Sequence, residues 1–170
     1  MNSNKLEPYE IFEPRVERAH ARVVGEELGD VRLVLLIRHC NNLSKEEMAR
    51  QLDAHGLSKT GYIAMMLLQS TPDNLANPSD LCELAGETRA NMTRICDELV
   101  AKGLMKRVTN EADRRRVDLS LTPAGIDLLK ETVPDLRRNL KEILRVFSDD
   151  ETNTLVRLLM RLNRAIEERL

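Results

Sequence analysis

Residues 79–125 read SDLCELAGETRANMTRICDELVAKGLMKRVTNEADRRRVDLSLTPAG, and no other stretch limits the fold as tightly. Leu81, Leu84 and Ala85 give one helix a buried face, and Gly86 permits a tight turn. Met92, Ile95, Cys96 and Leu99 then recur at i, i+3, i+4 and i+7, the period of a second helix ending at Gly103. Thr88 is its candidate N-cap. Two short runs of β-type residues follow, Leu104–Thr109 and Val117–Leu121, around the hydrophilic NEADRRR. A helix-turn-helix places its second helix in the DNA major groove. With a basic hairpin beside it, the pattern predicts a winged helix that grips the duplex with both elements.

The rest of the chain predicts helices. Its 170 residues suit one domain with a substantial core. There is no tryptophan, and the aromatics are Tyr9, Tyr62, Phe12 and Phe147, so aliphatic residues must build the core. Residues 1 to about 14 read as a polar arm broken by Pro8 and Pro14, followed by a short helix from Arg15. A long helix spans Val31–Ala54, with Gly56 to end it. Ser58 caps a helix that is apolar nearly all round, as a central core helix is. Asn77-Pro78 opens the first helix of the helix-turn-helix. Thr122-Pro123 starts another, which Pro134 should kink or divide. Ser148 caps the last, with Leu155, Leu158, Leu159, Leu162 and Ile166 as its apolar stripe. The fold class is therefore mainly α with a small β-wing. Residues 1–57 form an arm and dimerisation helices, 58–121 a winged lobe, and 122–170 C-terminal dimerisation helices.

The net charge of −2 looks wrong for a DNA binder until it is mapped. From Gly86 to Arg116, eight basic residues face five acidic ones, a local excess of three. Local balance, not the total, makes an electrostatic footprint. The longest apolar run, Leu33–Ile37, is bracketed by Arg32 and Arg38, far short of the ~20 residues of a membrane span. The N-terminus lacks a signal-peptide core, so a cytoplasmic protein is expected. Cys40, Cys82 and Cys96 form no CxxC pair and read as small buried hydrophobes.

The central block resembles the MarR-type winged-helix regulators. Asp113-x-Arg115-x-x-x-Leu119-x-Leu121-Thr122-x-x-Gly125 is similar to that family's wing and following helix start. Thr93-Arg94-x-x-Asp97-x-Leu99-x-x-Lys102-Gly103-Leu104 resembles the end of its recognition helix, and looks closest to repressors of multidrug efflux genes. Leu57-Ser58 through Leu68 resembles its pre-recognition helix. The resemblance implies a homodimer held by helices from both chain ends. It implies binding to pseudo-palindromic double-stranded DNA, usually as a repressor. It also implies release by a small, often phenolic or anionic effector bound between lobe and dimer region; the residues themselves give no reason to expect a cofactor or a metal.

DNA affinity comes mainly from phosphate neutralisation, and specificity from base edges and shape. The recognition helix offers Thr88, Arg89, Ala90, Asn91, Thr93 and Arg94. Arginine pairs with guanine O6 and N7, and asparagine with adenine N6 and N7. Thr88 and Asn91 have phosphate as an alternative target, and small Ala90 allows close approach. The resemblance places Arg115 in the minor groove, with Asp113 orienting it. Arg114 and Arg116 add phosphate contacts, or one of them pairs within the protein. For the effector, Tyr62, Met65 and Met66 are candidate walls, and Arg22, Arg38, His39 and His55 candidate partners for an anion. Each has a plain alternative as core, packing or surface.

Urate-responsive relatives use a pocket tryptophan, which is absent here. Peroxide-sensing relatives carry a cysteine in the first helix, whereas the earliest here is Cys40. Metal-sensing relatives need late histidines, but His20, His39 and His55 all lie in the first third. A cysteine-based sensor of the same fold is the alternative regulator. A winged protein-interaction module would have a neutral wing, unlike Arg114-Arg115-Arg116. No GxGxxG, nucleophile elbow or paired carboxylates point to an enzyme.

Overall fold

The computed structural model describes residues 7–25, 29–71, 73–109 and 117–170. In chain order the described elements are α1 (Tyr9–Val24), α2 (Asp30–Ala54), α3 (Lys59–Ser70), α4 (Pro78–Ala85) and α5 (Arg89–Ala101). Then come β1 (Met105–Thr109), β2 (Val117–Leu121), α6 (Pro123–Leu144) and α7 (Asp149–Glu167). The chain divides into two compact units, Met1–Ile126 and Asp127–Leu170.

In the first unit, α3, α4 and α5 pack on one another, α3 also meets β2, and α5 meets β1. Their shared core holds Ala64, Met65, Leu68, Leu81, Met92, Ile95, Cys96, Leu99, Met105 and Leu119. The two strands pair antiparallel from Met105↔Leu121 to Thr109↔Val117. Ala76 adds a single bridge on the outer side of Leu119, with Leu119 N–H donating to its carbonyl at 2.8 Å. Asp118 is buried in β2.

The predicted caps are in place because each lends an oxygen to orphan first-turn amides. Ser58 accepts from Gly61 N–H, and Thr88 from Asn91 N–H. Ser148 and Glu151 form a reciprocal capping box, and the bonds from Ser148 hold the Glu151 carboxyl below its ordinary pKa. One glycine is fixed by space. A Cβ on Gly125 would sit 2.2 Å from the Leu104 carbonyl oxygen, so only glycine lets the start of α6 approach the β1 entrance this closely. Thr122 Oγ1 secures that approach by donating to the Gly103 carbonyl at 2.6 Å.

Three local expectations are corrected. The polar arm is helical from Tyr9: Pro8 stands at its N-cap, and Pro14 lies within α1 yet does not end it. Pro14 lacks the N–H that would donate to the carbonyl four residues back, a local cost that does not end the helix. Of the two outcomes expected at Pro134, a kink or a division, the division does not occur: α6 runs unbroken to Leu144. Cys40 is also not a buried hydrophobe; it is exposed on α2, whereas Cys82 and Cys96 are buried.

In the second unit, α7 buries none of its residues, and Leu155, Leu158, Leu159 and Ile166 are 41–51% exposed. In the first unit, α1 also buries nothing. Among the described residues, no helix is long and apolar enough to cross a membrane.

Candidate nucleic-acid interface

The interface is built on a turn. Asn77 Oδ1 accepts from the amides of Ser79 and Asp80, while Pro78 occupies the first turn where no donor is needed. At the other end of α4, Gly86 takes the left-handed conformation, φ +63°, which ends the helix without a Cβ clash. Glu87 N–H donates to the Cys82 carbonyl at 3.1 Å, and the Cys82 thiol donates back to the Glu87 carbonyl at 2.8 Å. Cys82 therefore clamps the turn, a role its apolar setting in the sequence does not reveal. The turn hands the chain to Thr88 and launches α5.

Burial of Met92, Ile95, Cys96 and Leu99 fixes the rotation of α5. The 3.6-residue period then leaves Arg89, Ala90, Thr93, Arg94 and Asp97 exposed, with Asn91 half-buried at the margin. These are the residues singled out in the sequence, apart from Asp97, and the structure brings them onto one helix with Thr88 at its start. Thr93 also helps line a shallow cleft of about 440 Å³ with Asn77, Pro78, Ser79, Asp80 and Val117.

Carboxylates near this surface should repel phosphate, and each of three has a donor. Asp97 is engaged by Arg107 of β1, tying the helix to the hairpin. Glu98 accepts from Arg94 at 3.3 Å and pairs with Lys102 at 3.1 Å. Glu87 accepts from Thr60 of α3 at 3.2 Å and from Asn91 at 2.8 Å. Thr60, Glu87, Asp97, Glu98 and Arg107 were not anticipated. Of the pairs they form, the i, i+4 spacing of Arg94–Glu98 and Glu98–Lys102 is the signal that could have found one set. Cys96 behind them remains a thiol: burial, with the nearby Asp97 charge, pushes its pKa up to about 11.

Asp113, Arg114, Arg115 and Arg116 lie outside the described residues. The strands that bracket them are in register to the last pair, Thr109↔Val117.

The effector candidates are scattered by burial. Met65 is fully buried and belongs to the lobe core. Met66, its neighbour, is exposed, and Tyr62 is half-buried, which raises its hydroxyl pKa. Arg22 and Arg38 are exposed, and His55 is half-buried at the end of α2. His39 is buried, its ring 6.0 Å from Phe12 and 5.4 Å from Tyr9. Its Nε2 has no hydrogen-bond partner among the described residues. None of these seven lines the cleft beside α5, and no group of metal-ligating side chains occurs among the described residues.

Comparison with known proteins decides the family. The MarR family profile matches residues 55–116, the segment from the end of α2 to the residue before β2. The transcriptional repressor MprA of Escherichia coli K12 is 31% identical over 132 residues, covering 76% of this chain and 75% of that protein. The chain belongs to the MarR family. The regulator MhqR of Bacillus subtilis is also similar, 26% identical over 133 residues and covering 78% of this chain and 90% of its own. Among solved structures, the MarR-family regulator AbsC from Streptomyces coelicolor superposes with a TM-score of 0.69 at 17% identity, over 84% of this chain and 99% of AbsC. Apo MarR from E. coli gives 0.65 at 23% identity, over 76% and 95% of the two chains. This MarR-family chain is thus a transcriptional regulator on a winged-helix fold, not an enzyme. MarR regulators bind DNA and act as dimers.

Proposed function

We propose that this regulator is a cytoplasmic repressor that holds a pseudo-palindromic promoter duplex as a homodimer and leaves it when a small anionic or phenolic effector binds. The observation that carries the reading is α5. It is capped by Thr88, rotated by its buried stripe, and presents Arg89, Ala90, Thr93 and Arg94 to solvent. That is a major-groove reader with arginines placed for guanine edges. The similarity to a protein named as a repressor supports repression. Residues 58–121 are the DNA lobe, with residues 1–57 and 122–170 as the dimerisation region. Two-fold symmetry of the dimer would be mirrored in the operator, its half-sites one duplex turn apart, ~34 Å.

Wing residues 113–116 belong to the same reading, with Arg115 in the minor groove. Arg115→Ala should weaken operator binding by about 1–3 kcal/mol and leave the protein folded. Gel-shift titration at fixed salt measures it, and unchanged affinity removes Arg115 from the interface. For the effector, Tyr62, Met66, His39, His55, Arg22 and Arg38 remain the candidates, with Met65 shaping the wall from within the core. The effector must bind the DNA-incompetent arrangement more tightly, since equal affinity shifts nothing. A thermal-shift screen of phenolic acids, followed by gel shifts with each hit, tests release. A hit that stabilises the protein but leaves the DNA complex intact counts against it.

A further inference from the structure

The sequence offers Asn91 as a reader of adenine or a phosphate contact and Arg94 as a reader of guanine, and the structure separates them further. Asn91 is already engaged at both ends of its amide. Its Nδ2 donates to Glu87 at 2.8 Å, and its Oδ1 accepts from Arg94 Nη2 at 3.1 Å. The amide orientation is forced, because a carboxylate only accepts and a guanidinium only donates. Glu87 is itself held from outside the helix by Thr60 of α3, 3.2 Å away. On the far side of Arg94, Nη1 donates to Glu98 at 3.3 Å. Glu98 pairs with Lys102 at 3.1 Å, and Lys102 is anchored on the Gly56 carbonyl, also at 3.1 Å. The result is one continuous polar line along α5, pinned at both ends to the segment around the start of α3, with Arg94 in its middle.

Helix stability accounts for Glu98–Lys102, where the acid precedes the base, but not for the Arg94 pairing. Arg94 precedes Glu98, the less favourable order for an i, i+4 pair. Exposed pairs of this kind contribute little in any case, and the Arg94 side chain is 65% exposed. A carboxylate on a DNA-facing helix also opposes phosphate. What the arrangement does accomplish is to hold both terminal nitrogens of a flexible side chain while leaving most of it in solvent. Arginine has five donors, so the fork retains N–H groups for a base edge.

We propose that Arg94 is the specificity-determining base reader, directed to guanine, and that Asn91 and Glu98 are positioning residues that pre-set its fork, with Glu87 locking Asn91. This rests on the DNA-binding reading above. Asn91 then reads no base of its own. The carboxylate of Glu98 weakens general DNA affinity and sharpens discrimination, because it holds the arginine in one geometry before the duplex arrives.

The test uses the full-length protein and two fluorescent duplexes at one salt concentration. One is the sequence it enriches from a random duplex pool; the other is a scrambled version. Glu98→Gln removes a negative charge, so affinity for the scrambled duplex should rise or hold. Affinity for the enriched duplex should fall, and the ratio of the two should drop roughly tenfold. Asn91→Ala should lower the ratio by a similar factor. Arg94→Lys keeps the charge without the fork, and should lose discrimination while binding the scrambled duplex as before. Adding Glu98→Gln to Arg94→Ala should change the ratio no further. Additive losses in that double-mutant cycle, or a Glu98→Gln protein that gains equally on both duplexes, overturn the proposal alone. A wild-type protein that enriches no sequence overturns the DNA reading together with it.

Discussion

Helices α5 and α7 carry the same message in sequence and opposite outcomes in structure. Each has apolar residues at helical spacing and a polar remainder. On α5, Met92, Ile95, Cys96 and Leu99 are at most 3% exposed, covered by α3, α4 and β1. On α7, Leu155, Leu158, Leu159 and Ile166 are 41–51% exposed. α5 completes a core its own chain supplies. α7 offers a face whose cover a single chain does not supply within its own unit. A regulator acting as a dimer has a use for both kinds of helix, one rigid enough to read DNA and one whose open face we propose a second copy covers. On α2 the row Val31, Leu33, Val34 and Leu36 is exposed as well.

The largest effect should come from the covered stripe. Met92→Ala removes a fully buried side chain and should cost about 2–5 kcal/mol, independent of protein concentration. Chemical denaturation checks it. A loss under ~1 kcal/mol would mean the lobe core is looser than its burial implies.

The open stripe should respond differently. Leu158→Ala with Leu159→Ala should weaken association by about 2–4 kcal/mol, read by sedimentation equilibrium, and should lower thermal stability most at low concentration. Loss of stability at every concentration, with the dimer intact, would make α7 an ordinary core helix and erase the contrast.

The smallest effect separates thiols by the same logic of cover. Cys40, exposed on α2, should react with iodoacetamide in the native state, while Cys96 should wait for unfolding. The Cys96 pKa is raised from about 9 to about 11, so its contribution is complete below about pH 9 and disappears as pH climbs through 11. Relative to Cys96→Ala, the wild type should lose on the order of 1 kcal/mol across that window. A flat difference would show that the thiol is not shielded.

The local rules were legible in the sequence. Ser58, Thr88 and Ser148 act as caps because short oxygen-bearing side chains reach first-turn amides wherever a helix begins. Gly86 turns the chain because only φ and the absence of a Cβ are at issue. The buried stripe of α5 follows from the helical period, and the exposure of Arg89, Ala90, Thr93 and Arg94 follows from that stripe. The wing strands were placed within a residue of their observed bounds by the change from helical to β-type spacing.

Tertiary structure alone decided what each face and each polar group meets. No local pattern says that Met65 is core while adjacent Met66 is open, or that His39 is buried against two rings while Cys40 beside it is exposed. The links from Thr60 to Glu87 and from Arg107 to Asp97 join elements that sequence spacing does not relate. Periodicity fixes which residues of a helix share a side, because it is a property of one backbone. Cover, and the partner each buried donor finds, are properties of several backbones at once, and those exist only after the chain has packed.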